Sequence, residues 1–375
     1  MPRIMFTGGG TGGHLLPGVT LAEELRYRLG AQIRFLITTR KIDQVLVPTE
    51  KFSVTQIKQK PLPAKLSGIP VFLIFSLFAA LRTMVEVLRF RPHLIVGLGG
   101  FGSFSAVLCG KLLLVPAVIL EQNAFPGKAN RLLSFFADAI FCQWEETTFH
   151  FPFPEKVFPL GNPVRRSLSL EDKAAARVRL GLQPDKPTLL VLGGSQGAHA
   201  LNVLMCRTAE VANGDGEAFQ VIHLAGARDR SKVENAYRRN NIQARVMDFL
   251  GEMEKAYSAA DLVFCRAGGT TIAELTALGV PAVLVPYPGA AENHQLANAQ
   301  ELQRNEAAVV LCEEKLSPLV VKERVIGLLV DGKRLSLLSR NAKSLGKIDA
   351  SERIAKKIES EFSLSQRSYS QSPLL

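Results

Sequence analysis

The loop Gly8-Gly9-Gly10-Thr11-Gly12-Gly13-His14 follows a short apolar run, and Leu15 to Leu29 after it carries apolar residues at helical spacing. A glycine loop between strand and helix presents unpaired backbone N–H groups at the positive end of the helix dipole, a cradle for phosphate. His14 ends this loop. An imidazole beside a helix N-terminus is favoured in its neutral form and can act as a general base; the alternative is a ring that only caps the loop. Three further small-residue loops begin at Gly97, Gly193 and Ala267. Gly99-Gly100-Phe101-Gly102-Ser103 suits either a second phosphate or a tight turn with close helix packing. Gly193-Gly194-Ser195-Gln196-Gly197 adds a hydroxyl to its N–H groups, the parts needed to hold a diphosphate without a metal. Cys265-Arg266-Ala267-Gly268-Gly269-Thr270-Thr271 leads into a helix with Glu274 in its opening turns. An ionised Glu accepts hydrogen bonds at two oxygens, so Glu274 suits a ribose diol, or it simply favours the helix N-terminus electrostatically. No Asp-x-Asp pair occurs, so no metal is expected, and a leaving diphosphate falls to N–H dipoles, hydroxyls and Arg165.

These loops need strands to carry them. Runs at Ile4–Thr7, Ile33–Thr38, Leu94–Gly97 and Val118–Leu120 in the first half read as strands, as do Thr188–Leu192, Gln220–Leu224, Leu262–Cys265 and Ala282–Pro286 in the second. All four small-residue loops stand at the carboxyl end of such a strand, where open parallel sheets bind ligands. Alternation with helices predicts buried parallel sheets covered on both faces. Phe151-Pro152-Phe153-Pro154 and Gly161-Asn162-Pro163 interrupt the pattern, which places a domain boundary near Pro163. A late helix, Ser351–Glu361, precedes a polar tail.

The chain has 375 residues, 47% hydrophobic and 21% charged, which excludes disorder and collagen and suits two domains with cores of their own. Its five cysteines include no Cys-x-x-Cys pair and are odd in number, so neither a zinc knuckle nor a disulfide framework is written here, and a reducing cytosol is the expected compartment. A net charge of +11, of which +7 falls in residues 1–163, calls for an anionic partner: nucleic acid, an anionic membrane surface or a phosphorylated substrate. No recognisable nucleic-acid module accompanies the charge, so nucleic acid is not expected. The acidic residue that a dinucleotide fingerprint places ~20 positions after its loop is missing from residues 33–40, which opposes an oxidoreductase. Residues 69–81 form the most hydrophobic run, short of the ~20 that span a bilayer. They read either as a buried helix or as a monotopic patch, with Phe72, Phe75 and Phe78 in the headgroup region and Lys58, Lys60 and Lys65 upstream to meet anionic lipid.

Taken in order, Gly8–His14, Gly97–Ser103, Glu121-Gln122-Asn123, Gly161-Asn162-Pro163-Val164-Arg165, Gly193–Ala198, Cys265–Glu274, His294-Gln295 and Asn298-Ala299 resemble the MurG family of N-acetylglucosaminyltransferases across nearly the whole chain. The resemblance implies the GT-B fold: α/β, two doubly wound Rossmann-like domains facing a central cleft. It implies an acceptor and membrane-facing domain at 1–163 plus about 349–365 and a UDP-GlcNAc domain at 164–348; the polar tail at 366–375 has no counterpart in the resemblance. By the same resemblance, Ser195 holds the donor diphosphate, Glu274 the ribose and Gln295 the GlcNAc hydroxyls. Ala267, Gly268, Gly269, Thr270 and Thr271 approach the diphosphate and nucleoside, and the backbone near Leu250 the uracil. Thr11, Gly12, Gly13, Asn123 and Arg165 complete the donor contacts, while Gly10, Gly100, Gly102 and Ser103 face the acceptor pyrophosphate. The implied reaction is inverting transfer of GlcNAc to the C4 hydroxyl of MurNAc in lipid I, with His14 as base assisted by Glu121, giving lipid II for peptidoglycan synthesis. The implied partners are UDP-GlcNAc, lipid I, the cytoplasmic face of the membrane with its anionic lipid, and a cell-wall synthesis complex; no cofactor is implied. The alternative within the same fold is another UDP-sugar enzyme, a glycolipid glycosyltransferase or a UDP-GlcNAc 2-epimerase.

Overall fold

A computed structural model gives the fold and describes residues 1–9, 12–58, 69–194, 197–212, 218–362 and 364, with the backbone alone at 41–42, 69–73 and 101. Gly10, Thr11, Ser195, Lys60, Lys65 and the expected tail at 366–375 therefore lie outside the described residues, as does the side chain of Phe72. Two compact units divide the chain: residues 1–165 with 347–375, and residues 166–346.

The first unit is a seven-stranded parallel sheet in the order β3-β2-β1-β4-β5-β6-β7. Its strands are β1 (Arg3–Thr7), β2 (Gln32–Thr38), β3 (Ser53–Ile57), β4 (Leu94–Gly97), β5 (Ala117–Glu121), β6 (Ala139–Cys142) and β7 (Val157–Phe158). Its helices are α1 (Gly12–Leu29), α2 (Lys41–Leu46), α3 (Ile69–Phe90), α4 (Phe104–Leu112) and α5 (Lys128–Leu133). Successive side chains of a strand point to opposite faces, so an interior strand must be apolar at every position. In β1, Ile4 and Phe6 join one buried cluster with Leu21 and Leu25 of α1, while Met5 joins the other with Val87 of α3 and Val107 of α4. The closing helix Ala350–Glu361 returns to this unit, burying Ile354, Ala355 and Ile358 in the α1 cluster and pairing Glu359 with Arg28 at 2.9 Å.

The second unit is a six-stranded parallel sheet, β10-β9-β8-β11-β12-β13. It comprises β8 (Thr188–Leu192), β9 (Gln220–Leu224), β10 (Ala244–Met247), β11 (Leu262–Cys265), β12 (Ala282–Leu284) and β13 (Val309–Val310). The helices that matter below are α6 (Lys173–Arg179), α7 (His199–Val211), α8 (Arg230–Arg239), α9 (Met253–Ala259), α10 (Gly269–Leu278) and α11 (His294–Arg304).

The two parallel sheets bear out the α/β reading. Four differences have physical causes. The strands β3, β6, β7, β10 and β13 escape a reading based on apolar runs: four of them lie at sheet edges, two being only two residues long, while β6, interior and buried, is not followed by a glycine loop. The strand expected at Ala282–Pro286 stops at Leu284, before Pro286, which has no N–H to donate to a ladder. Helix α1 begins at Gly12 and not at Leu15, so His14 sits inside its first turn. The apolar run 69–81 is part of a 22-residue helix that continues through Arg82 to Phe90, because Glu86 is buried against Arg34 (3.2 Å) and Arg34 in turn covers the Phe90 ring.

Candidate functional site

In each unit the strand order reverses once, between β1 and β4 in the first and between β8 and β11 in the second. At such a reversal the connections leave in opposite directions and a crevice opens at the carboxyl ends of the strands. The four small-residue loops are the linings of these two crevices.

In the first unit the loops after β1 and β4 pack back to back. Gly8 has φ +140°, and a Cβ there would lie 2.9 Å from both Leu98 Cβ and Ser103 Oγ. Gly9 has φ +138°, and its Cβ would lie 2.5 Å from Oδ2 of Asp43, a buried carboxylate that accepts the Thr38 hydroxyl. Thr7 Oγ1 donates to Gly102 O (3.1 Å). The Ser103 hydroxyl is fully buried, accepting from Gly99 N (3.0 Å) and lying 2.9 Å from Thr7 O. Its oxygen is thus committed to holding the two loops together. Gly100 stands at φ +70°, in the left-handed region that favours glycine.

His14, partly exposed, approaches the second loop so closely that a Cβ on Gly99 would be 3.0 Å from its Nδ1. Its hydrogen-bond partner is Gln122, whose Oε1 is 2.8 Å from Nδ1. Glu121, one residue earlier and 2% exposed, turns elsewhere. Its Oε1 accepts from the backbone N (2.9 Å) and Nδ2 (3.0 Å) of Asn123, and its Oε2 from Gly127 N (3.2 Å) and Asn130 Nδ2 (2.9 Å). Four donors to one carboxylate organise the loop between β5 and α5 and aim Asn123. Arg165 is half-buried at the end of this unit's first segment.

The second unit's crevice is also built on close approach, with different side chains. A Cβ on Gly193 would fall 2.1 Å from Ala198 N, and one on Gly197 2.5 Å from Ala225 O. Beneath α7, Asn202 Nδ2 donates to Ala225 O (2.8 Å) and to Asp229 Oδ2 (2.9 Å), which fixes its Oδ1 as acceptor for His223 Nε2 (3.0 Å). Tyr237 OH completes the chain at His223 Nδ1 (2.9 Å). Burial pushes the His223 imidazole down to about 3, so it is neutral across the physiological range.

Across the reversal, Ala267 is buried, Gly268 precedes α10, and Gly269, Thr270 and Thr271 form its partly exposed first turn. Glu274 is buried one turn later, its Oε2 accepting from the buried Tyr257 hydroxyl of α9 (2.8 Å). Arg266 is buried beside this loop, ion-paired with Glu313, donating to Val285 O (3.2 Å) and lying 5.3 Å from the Tyr287 ring centroid. Tyr287 N in turn donates to Gln295 Oε1 (3.0 Å), and Asn298 Nδ2 to Ala267 O (3.1 Å). Gln295 is therefore tied to the loop after β12 and α11 to the loop after β11. Leu250 is partly exposed in the connection between β10 and α9.

Sequence reading assigned no role to Gln122, Tyr257, Arg266 or Asn298. Gln122, Arg266 and Asn298 lie inside runs that carry the family resemblance; Tyr257 carries no local signal, because its partner Glu274 is 17 positions away. Among the described residues no group of three or more His, Cys, Asp or Glu side chains could hold a metal ion.

On α3, Ala79, Thr83 and Val87 face the core, while Ile74, Leu77 (62% exposed), Phe78 (65%), Leu81, Val85 and Leu88 form an outward apolar stripe. Phe75 is partly buried with the Lys58 ammonium 5.6 Å from its ring centroid. Exposed Leu112 ends α4, which packs against α3, and exposed Leu114 follows just beyond it. Among the described residues no helix is long and apolar enough to cross a membrane.

Family models match both halves: the glycosyltransferase family 28 N-terminal domain over residues 4–142 and the glycosyltransferase family 28 C-terminal domain over residues 188–358. A UDP-N-acetylglucosamine–N-acetylmuramyl-(pentapeptide) pyrophosphoryl-undecaprenol N-acetylglucosamine transferase of Anaeromyxobacter sp. (strain Fw109-5) is 40% identical over 358 residues, 94% of this chain and 92% of that protein. The crystal structure of Acinetobacter baumannii MurG matches at a TM-score of 0.77 and 27% identity, covering 96% of this chain and 100% of that one. A UDP-GlcNAc 2-epimerase from Neisseria meningitidis, solved with UDP-GlcNAc, covers 96% of this chain and 100% of its own at a TM-score of 0.66, but at 14% identity it shares the fold alone. The end-to-end identity decides between the two readings of one fold: the chain belongs to the UDP-N-acetylglucosamine–N-acetylmuramyl-(pentapeptide) pyrophosphoryl-undecaprenol N-acetylglucosamine transferases, the MurG family.

Proposed function

We propose that this chain transfers GlcNAc from UDP-GlcNAc to the C4 hydroxyl of MurNAc in lipid I, forming a β-1,4 bond with inversion and releasing UDP and lipid II. The observation that carries the proposal is the 40% identity running through 92% of a relative whose name states that donor and acceptor. In this reading His14 takes the C4 hydroxyl proton as the oxygen attacks the anomeric carbon and the bond to UDP breaks. The departing diphosphate is met by backbone N–H groups of the Gly193–Ala198 loop with Ser195, by the α10 N-terminus at Gly268–Thr271, and by Arg165, preorganised dipoles and charge of the kind that stabilise a leaving anion. Glu274 receives the ribose hydroxyls. Gln295, whose Oε1 already accepts from Tyr287 N, offers its amide N–H groups to the sugar. The backbone near Leu250 faces uracil, and Thr11, Gly12, Gly13 and Asn123 complete the donor contacts. Gly10, Gly100 and Gly102 offer N–H groups to the acceptor pyrophosphate. Ser103 and Glu121, both committed internally, shape the loops instead of touching substrate, so Glu121 does not serve as an assisting base.

A lipid-anchored acceptor stays in the bilayer, so the enzyme must come to it. We assign that contact to the α3 stripe from Ile74 to Leu88, centred on Phe78, with Lys58, Arg82, Arg89 and Lys111 meeting anionic headgroups at the cytoplasmic face. The test is transfer of labelled GlcNAc from UDP-GlcNAc to a lipid I analogue, in EDTA, with the same protein sedimented on anionic and on neutral vesicles. Transfer in EDTA and co-sedimentation with anionic vesicles are expected. Tight UDP-GlcNAc binding without transfer would point to a different acceptor or to an epimerase, and equal sedimentation on both vesicle types would remove the role given to the basic residues.

A further inference from the structure

We infer that Gln122 is a positioning residue that sets the tautomer of His14, keeping the ring proton on Nδ1 so that Nε2 is the nitrogen able to take a proton. The inference rests on the reading of His14 as the general base. A side-chain amide has one end that donates and one that accepts, and its neighbours decide which faces where. Gln122 Nε2 lies 3.4 Å from Leu98 O, a carbonyl that can only accept, so the NH2 group belongs on that side. Oε1 is then the atom 2.8 Å from His14 Nδ1, and an amide oxygen can only accept. Nδ1 must therefore carry the hydrogen. A neutral imidazole has a single N–H, which leaves the Nε2 lone pair free.

The arrangement is held rigidly. Gln122 is 2% exposed at the end of β5, and Gly99, at φ +96°, leaves room for the ring where any Cβ would crowd Nδ1. A neutral orienting group has a consequence that a carboxylate would not. It fixes the ring while placing no negative charge beside it, so Gln122 orients the base without the ion pairing a carboxylate would bring. Charged groups on the surrounding elements have partners of their own. Glu121 of β5 is held by Asn123, Gly127 and Asn130; Asp43 of α2 is held by Thr38; Arg131 of α5 lies over the Phe125 ring, and Lys128 is exposed on the same helix.

The experiment is the pH dependence of kcat/KM with a lipid I analogue for the full chain and for His14→Ala, Gln122→Glu and Gln122→Met. The wild type is expected to gain activity through one acid limb, and His14→Ala to lose about 10²-fold or more together with that limb. Gln122→Glu places a negative charge on the Nδ1 side and is expected to move the limb up by about one pH unit or more. Gln122→Met removes the acceptor, frees the ring to protonate at Nε2, and is expected to lower kcat about tenfold or more while KM for UDP-GlcNAc stays within about twofold. If His14→Ala keeps the limb, the reading of His14 as base falls and the inference falls with it. If His14→Ala abolishes the limb but Gln122→Glu leaves its midpoint in place, the inference about Gln122 alone is overturned. Should Gln122→Met not fold, the Gln122→Glu profile decides the matter.

Discussion

The two crevices arise from the same topology and are furnished in opposite ways. In the first unit the loops after β1 and β4 are nearly bare backbone, pressed together so that Gly8, Gly9 and Gly99 have no space for a side chain, and one imidazole stands over them. In the second, a helix N-terminus is surrounded by partnered polar side chains: Glu274 with Tyr257, Arg266 with Glu313 and Tyr287, Gln295 with the Tyr287 backbone. Reversal of strand order places a crevice; residue types decide whether it does chemistry or holds a ligand. In the proposed function the first moves a proton beside a phosphate, and the second grasps the nucleotide sugar through many directional contacts.

That division predicts a separation of kinetic effects. His14→Ala is expected to lower kcat by ~10²–10⁴-fold with little change in KM for UDP-GlcNAc. Glu274→Ala should instead raise that KM by about 10–100-fold, since a hydrogen bond to a charged group is worth about 1.5–3 kcal/mol. Steady-state kinetics on the two variants checks this, and equal effects on both constants would dissolve the contrast. Stability should instead follow how closely each glycine is approached, whichever crevice it lines. Gly8→Ala places its Cβ 2.9 Å from Leu98 Cβ and Ser103 Oγ at φ +140°, and should cost about 1–3 kcal/mol in a thermal melt. Gly268→Ala, whose Cβ would meet only Thr271 Oγ1 at 3.8 Å, should cost less than about 0.5 kcal/mol.

Acid should affect the second unit through His223. Its folded value of about 3 lies below the ordinary 6.5, so between those limits the unfolded chain binds a proton that the native state refuses. Stability from this group is whole above pH ~6.5 and falls by about 1.4 kcal/mol per pH unit on the way down. His223→Gln keeps an acceptor for Tyr237 and a donor for Asn202 without titrating, and its denaturant-derived stability should show a shallower slope over that interval. The smallest effect is expected at Arg266→Lys, which keeps the charge opposite Glu313 but loses the planar fork over Tyr287. UDP-GlcNAc affinity should fall about three- to tenfold, measured by calorimetry, while affinity for UDP alone changes by less than about twofold; an equal loss for both would break the link from Arg266 through Tyr287 to the sugar.

Much of this was legible in residue order. Apolar runs four or five residues long ending in glycine loops mark β1, β4, β8 and β11, the strands that flank both crevices. Glu274 and Gln295 were singled out because they belong to runs that resemble a family, whereas the length and hydrophobicity of residues 69–81 left a buried helix and a membrane patch both open. Ser103 and Glu121 show the limit of such reading: both residue types suit substrate contact, yet their hydrogen bonds are already filled by Thr7, Gly99, Asn123, Gly127 and Asn130.

The sequence by itself determined which segments become buried parallel strands, where the glycine loops fall and which family the chain resembles, because hydrophobic periodicity and backbone permissiveness are local properties. Only the tertiary structure decided which polar groups face one another. His14 meets Gln122 across 108 positions, Tyr257 meets Glu274 across 17, and Arg266 meets Glu313 on the far side of α11. A side chain's donors and acceptors are fixed by its type; whether they are spent or left for a substrate depends on neighbours that only the packed sheet brings within 3 Å.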